Sequence, residues 1–305
     1  MRHDIIVASE ALQVGQVTRR ELARDYTKLF RNVYVRTGAR VTARDKAVAA
    51  WLWSGRSATI AGTSAAALLG SRYLDGSAPA ELIRTHRRAP AGVSVFSDTV
   101  SARDIFHIGD MPVTKPARTA FDIGRRAPLL VAVQRIDALL NATGCRPADV
   151  LAVIGRHPGA RGVRRAQDAL RLVDAGSESP PETLTRLFLV AAGLPRPETQ
   201  IPVRGHGRLY RLDMGWQTPE VAVEYDGEQH WTDSRQRAHD IERLEFLSQQ
   251  GWTIVRVSWA QLRDQPERVV ERVASALGIA PKVQISHASL EECLQQVHTR
   301  RSRRG

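Results

Sequence analysis

The sequence predicts an α/β (α+β) protein of more than one domain, and three observations carry that expectation. Its 305 residues, 43% of them hydrophobic, suffice for more than one core at about 100 to 200 residues per domain. Residues 182–277 read in the order αβββαβα, a mixed sheet flanked by helices. The charge is also divided. Residues 1–177 hold 27 basic and 15 acidic side chains, residues 178–279 hold 12 and 15, and residues 280–305 hold 5 and 2. These shifts divide the chain into a winged-helix-like head over 1–38, a mixed domain over 39–177, a third domain over 178–279 and a basic tail over 280–305.

In the head, Asp4–Leu12 reads as a short helix. Thr18-Arg-Arg-Glu21 has capping-box spacing ahead of Leu22, Ala23, Tyr26, Leu29 and Phe30, so a second helix is expected from Thr18. Asn32–Arg36 alternates as a strand does. Helix, turn, helix, strand is the order of a small winged helix-turn-helix. Arg19, Arg20, Arg24 and Lys28 would give its second helix a basic face, with Arg31 and Arg36 beside it. The same pattern suits a structural cap or a dimerisation element, and both readings stand.

From 39 to 177 the pattern gives a helix over Ala43–Trp53 and a short helix over Thr63–Leu69, capped by Thr63 or Ser64. Strands follow over 80–84 and 93–96, separated by Arg84, His86, Arg87 and Arg88. Met111–Pro116 reads as a turn-rich connector before a helix over 118–123. Three more helices are expected over 129–141, 147–156 and 161–174, the last with Arg161, Arg164, Arg165 and Arg171. No nucleophile constellation, phosphate loop or metal-ligand spacing occurs between 40 and 175, which leaves scaffold or substrate grip as the role of this region.

A formal net charge of +12 argues for a polyanionic partner, DNA above all, although solubility alone accounts for a basic surface equally simply. Four of the 44 basic residues are Lys, so most of the charge sits on forked guanidinium donors suited to phosphate; a genome-wide bias toward Arg gives the same count. Two cysteines, Cys145 and Cys293, exclude a disulfide-rich scaffold and an all-cysteine metal cluster. The first twenty residues show no secretory pattern and no apolar run is long enough to span a bilayer, so a cytoplasmic, nucleoid-associated protein with no membrane partner is expected.

After the hinge-like Asp174–Pro181, a helix over Glu182–Ala192 stops at Gly193. Strands are expected over 199–203, 208–215 and 221–226, then a helix over 235–250, a strand over 253–259 and a helix over 266–277. Asp213 interrupts an apolar alternation and Glu224 lies inside Val221–Asp226. A hairpin turning at Gln217–Pro219 would bring these two acids together, with Asp226 on the face of Glu224. Gathered carboxylates near a core call for a cation, a proton or a solvated polar edge. Hard oxygen donors favour Mg2+ or Mn2+, held by Asp213, Glu224 and the Tyr225 carbonyl. Glu182 could reach the ion through water. His230 could handle a proton or simply pack, and Gln229 could position substrate. Asp240 and Arg243 share a helix face, as an ion pair or as a phosphate contact.

Residues 178–278 resemble the DUF559 family, in the very-short-patch-repair-like branch of the PD-(D/E)XK nuclease superfamily. The matching pieces are Ser179-Pro-Pro-Glu182, Arg211-Leu-Asp213, Val223-Glu-Tyr-Asp-Gly227 with His230, Asp240 and Arg243, and Gly251-Trp-Thr-Ile-Val-Arg256. The resemblance implies a restriction-endonuclease-like fold and metal-dependent hydrolysis of DNA phosphodiesters, leaving a 5′ phosphate and a 3′ hydroxyl. It also implies metal-centred roles for Asp213 and Glu224. Asp226 stands where the superfamily signature carries Lys, which would shift stabilisation of the attacking hydroxide to the metal, His230 or Arg243.

The front half resembles the AbiEi family of abortive-infection antitoxins and transcriptional regulators. Thr18–Val35 matches its winged-helix head in abbreviated form, and Ala61–Ala66, Pro112–Thr114 and Arg118–Ala120 match its following domain. The combined expectation is an endodeoxyribonuclease of DNA repair or defence. The alternative is a non-catalytic DNA-binding regulator or an antitoxin-like protein with a protein partner, and a homodimer is compatible with either.

Overall fold

The computed structural model describes residues 5–86, 88–205, 207–227, 234–282, 285–290 and 292. The chain divides into two compact units, one of residues 1–127 and 142–167, the other of residues 128–141 and 168–305.

The head consists of β1 (Ile6–Val7), α1 (Ala8–Gln13), α2 (Arg19–Asp25), β2 (Tyr26–Phe30) and β3 (Val33–Arg36), with its sheet in the order β1-β3-β2. The Thr18 capping box forms: Thr18 Oγ1 accepts the Glu21 N–H at 3.2 Å, and the Glu21 carboxylate accepts the Thr18 N–H at 2.8 Å. Two expectations are corrected here. Ile6 and Val7 pair with Tyr34 and Val33, so the first helix begins only at Ala8. The helix from Thr18 ends at Asp25, and Tyr26–Phe30 is a strand along β3. Pairing with β3 and burial of Phe30 outweigh the helical spacing of Leu22, Tyr26 and Leu29, and Lys28 therefore lies on a strand.

The chain continues through α3 (Ala43–Trp53), β4 (Thr59–Ile60), α4 (Gly62–Leu68), β5 (Ala80–Ile83), β6 (Val93–Phe96), β7 (Ile105–Ile108), β8 (Met111–Thr114), α5 (Pro116–Arg126), α6 (Leu129–Thr143), α7 (Pro147–Arg156) and α8 (Val163–Leu172). A five-stranded mixed sheet runs in the order β6-β5-β4-β8-β7. The expected connector at Met111–Pro116 is instead strand β8, paired with β7 and β4. Strands this short give little periodic signal. Thr63 and Ser64 do not cap α4, whose N-cap is Ala61; both hold Glu81, through Thr63 Oγ1 at 2.6 Å and through Ser64 Oγ on the Glu81 N–H at 2.9 Å. The core gathers Phe30, Val33, Trp51, Ile60, Leu82 and Val113. Buried charges on α5 are paired, Arg118 with Asp122 at 3.1 Å and Arg125 with Asp98 at 2.6 Å, as burial requires.

The second unit adds α9 (Pro180–Ala191), β9 (Glu198–Gly205), β10 (Arg208–Trp216), β11 (Val221–Asp226), α10 (Ser234–Gln249), β12 (Thr253–Ser258), α11 (Trp259–Asp264) and α12 (Pro266–Ala276). Its mixed sheet has the order β12-β11-β10-β9: the hairpins are antiparallel and β12 runs parallel to β11. Helices flank the sheet. Phe246 and Leu247 of α10 pack on Ile201, Val203, Tyr210 and Leu212, while α9 and α12 lie against β11. Arg186 on α9 is buried and donates to Asp137 on α6 at 2.7 Å, to the Leu172 carbonyl at 2.6 Å and to Ser177 Oγ at 3.1 Å. Residues past 280 also join this packing: Ile285 and Leu290 are buried, and the Lys282 N–H donates to the Ala192 carbonyl at 2.9 Å. Among the described residues no helix is long and apolar enough to cross a membrane.

Candidate active site

Three carboxylates come together in the second unit. Glu182 sits in the first turn of α9, where Pro180 and Pro181 occupy positions that need no N–H donor and an acid suits the helix dipole. The Ser179 hydroxyl and the Glu178 N–H donate to the two Glu182 oxygens at 2.7 and 2.8 Å. Burial is the first cause that raises its carboxyl above the usual range.

Asp213 lies on β10 between Leu212 and Met214, which pair with Ile201 and Thr199 of β9. The intervening Gln200 takes a φ of 54°. Pairing of β10 with β11 runs from Trp216 to Met214, and beyond it the Tyr225 N–H is taken by Asp213 Oδ2 at 2.9 Å. A backbone donor near the end of this ladder is thus satisfied by a side chain. Burial pushes the Asp213 carboxyl up to about 7; the Glu182 and Glu224 charges add to the rise, while the Tyr225 N–H and Arg243 oppose it.

Glu224 on β11 is only 8% exposed. Arg243 of α10 grips both of its oxygens, Nη1 on Oε2 at 2.7 Å and Nη2 on Oε1, and Nη2 also reaches the Arg211 carbonyl at 3.1 Å. Glu224 first, and then Asp213 and Asp240, hold the Arg243 guanidinium firmly charged. Asp226 accepts from Arg256 Nη2 at 2.6 Å. Arg256 stands on β12 in register with Glu224, and the reading of the sequence assigned it no role. Its signal was a charged residue inside the apolar alternation of Thr253–Ser258.

The expected site is therefore partly assembled. Glu182, Asp213, Glu224 and Arg243 act on one another, and Asp240 reaches them through Arg243. Tyr225 meets Asp213 through its N–H, whereas its carbonyl is the expected ligand. Gln229 and His230 lie outside the described residues. Among the described residues, five of the six oxygens of Glu182, Asp213 and Glu224 accept protein hydrogen bonds, the exception being Asp213 Oδ1. Among the described residues no group of three or more His, Cys, Asp or Glu is arranged to hold a metal ion. Hard oxygen donors are the right chemistry for Mg2+ or Mn2+, but in this arrangement they do not form a cage.

The expected DNA contacts Arg19, Arg20, Arg24, Lys28, Arg31 and Arg36 are all exposed on the head. Arg24 pairs with Asp25 at 2.7 Å, and Arg36 lies 5.5 Å from the Tyr26 ring centroid. Arg161, Arg164 and Arg165 are exposed too, with Arg165 tied to the Arg125 carbonyl at 2.6 Å.

Residues 188–277, from within α9 to the end of α12, match the family model described as REase_MTES_1575. Part of the chain is therefore a restriction-endonuclease-like domain related to the PD-(D/E)XK nucleases, and it contains Asp213, Glu224, Asp226, Arg243 and Arg256. Two curated Mycobacterium tuberculosis proteins are similar to the chain: uncharacterized protein MT2308 of strain CDC 1551 / Oshkosh and uncharacterized protein Rv2248 of strain ATCC 25618 / H37Rv. Each is 32% identical over 165 residues, which is 54% of this chain and 61% of the relative's length. No solved structure matches the chain significantly.

Proposed function

We propose that the protein is a DNA-processing hydrolase, a Mg2+- or Mn2+-dependent endodeoxyribonuclease of DNA repair or defence. The observation that carries this reading is the gathering of Asp213 and Glu224, inside the nuclease-like domain, with Glu182 on the first turn of the helix that leads into it, and with Asp213 driven up to about 7 by burial and its acidic neighbours. Such a cluster opposes folding, and perturbed carboxylates in one place are a mark of chemistry. In this reading Asp213, Glu224 and the Tyr225 carbonyl are the ligands, with Glu182 behind them. Asp226 and His230 complete the catalytic set, and Gln229, Asp240 and Arg243 position the phosphate. The DNA backbone is held by exposed guanidinium and ammonium groups of Arg19, Arg20, Arg24, Lys28, Arg31 and Arg36 on the head and of Arg161, Arg164 and Arg165. The wider assignment is a DUF559-type, very-short-patch-repair-like nuclease domain over 178–279, behind an AbiEi-like front over 1–177, acting in the cytoplasm at the nucleoid.

Purified protein incubated with supercoiled, nicked, mismatched and branched DNA in Mg2+ or Mn2+ tests the reading. Cleavage by wild type and its loss in D213A and E224A are expected. Cleavage that persists in both variants would reject the assigned centre.

One observation favours a second reading. Arg243 already neutralises Glu224 through both oxygens, which suits a domain that keeps the nuclease fold without cutting. Binding without cutting on the same DNA panel would point to a DNA-binding regulator. A stable protein partner with negligible DNA retention would point to an antitoxin-like interaction protein.

A further inference from the structure

A ligand proposed for a cation has both of its oxygens held by a guanidinium of the same chain. From this contact, and resting on the nuclease reading, we propose that Arg243 is an internal counter-cation of the acidic centre, and that a divalent cation binds only once Arg243 has left Glu224.

Among the described residues Arg243 is the only cation hydrogen-bonded to Glu182, Asp213 or Glu224. Its side chain is 22% exposed and that of Glu224 10%, so water screens their attraction less than at an open surface. A two-point fork on a carboxylate is the strongest geometry a guanidinium makes. Without it, the three acids would have only neutral donors among the described residues, an arrangement that opposes folding. Among the described residues the rest of the Arg243 anchorage is slight: one bond to the Arg211 carbonyl at 3.1 Å and a position 5.9 Å from the Tyr210 ring centroid. A long side chain held mainly at its tip can swing away without unfolding the helix that bears it.

A cation and Arg243 then compete for the same oxygens. The apparent affinity for the ion is its intrinsic affinity multiplied by the fraction of time that Arg243 is off Glu224. Removing the guanidinium raises that fraction to one.

The test is Mn2+ binding to the full chain, followed by the electron paramagnetic resonance signal of free Mn2+. R243M keeps an apolar stem near Tyr210, and R243K keeps the charge without the fork. R208A removes one positive charge from the exposed Arg208–Glu242 pair, 2.8 Å apart, and controls for net charge. Circular dichroism establishes folding. R243M should bind Mn2+ about tenfold tighter than wild type, with R243K between them and R208A within about twofold of wild type. Unchanged or weaker binding by R243M, with binding abolished in E224A, would overturn the proposal and leave the nuclease reading in place. Equal gains in R243M and R208A would reduce the effect to net charge and overturn it too. Absence of Mn2+ binding in every protein, with duplex DNA present, would overturn both. If R243M does not fold, R243K decides: tighter binding than wild type supports the competition, and unchanged binding ends it.

Discussion

In EDTA, replacing Asp213 by Asn should stabilise the protein at pH 8. Burial first, and then the charges of Glu182 and Glu224, push the Asp213 carboxyl up to about 7 in the fold, against about 3.9 for a free Asp side chain. Between those two values the folded protein keeps a proton that the unfolded chain has lost. Wild-type stability therefore falls as pH rises from about 4 to about 7 and stays at the lower level above. At about 1.36 kcal/mol for each unit, the full rise amounts to roughly 4 kcal/mol. Asp213 is partly exposed and its neighbours can relax, so about 2 kcal/mol is the expected gain. An amide oxygen at 213 can still accept the Tyr225 N–H, which isolates the charge. Urea unfolding followed by Trp fluorescence at pH 5 and pH 8 measures the difference, which should be largest at pH 8 and shrink at pH 5. A variant no more stable than wild type at pH 8, or a gap that does not change with pH, would refute the electrostatic account of the site.

Two other predictions concern the scaffold and the head. R186M strips Asp137 of its buried partner and should cost the second unit about 3 to 5 kcal/mol in urea unfolding, with most of the loss recovered when Asp137 is also made Leu; a loss below about 1 kcal/mol would show that the pair is dispensable. Changing Arg19, Arg20 and Arg24 together to Ala should weaken DNA binding and lower the slope of log affinity against log salt by about 2 to 3; an unchanged slope would remove the head from the DNA interface.

What could be read from the sequence was set by interactions close along the chain. The capping box at Thr18 and Glu21, the helix over Ala43–Trp53 and the alternating strands around Asp213 and Glu224 needed only local spacing. Acids inside apolar alternation also betrayed themselves, because a charge in such a pattern requires compensation wherever the strand lies. Contacts between distant segments were beyond that reading. Tyr26–Phe30 has helical spacing yet forms a strand, since β3 offers it backbone partners. The two to four residues of β4, β7 and β8 carry too little periodicity to declare themselves, and only their neighbours define them as strands. Arg186 and Asp137, 49 positions apart, meet only when α9 and α6 pack together. The same holds at the candidate centre. Residue types and strand alternation pointed to Asp213 and Glu224, whereas the packing of α9 brought Glu182 to them, that of α10 decided that Arg243 closes on Glu224 and that of β12 that Arg256 closes on Asp226. Local spacing determines which side chains a segment presents; the partner that neutralises a buried charge depends on which segments the whole chain brings within a few ångströms.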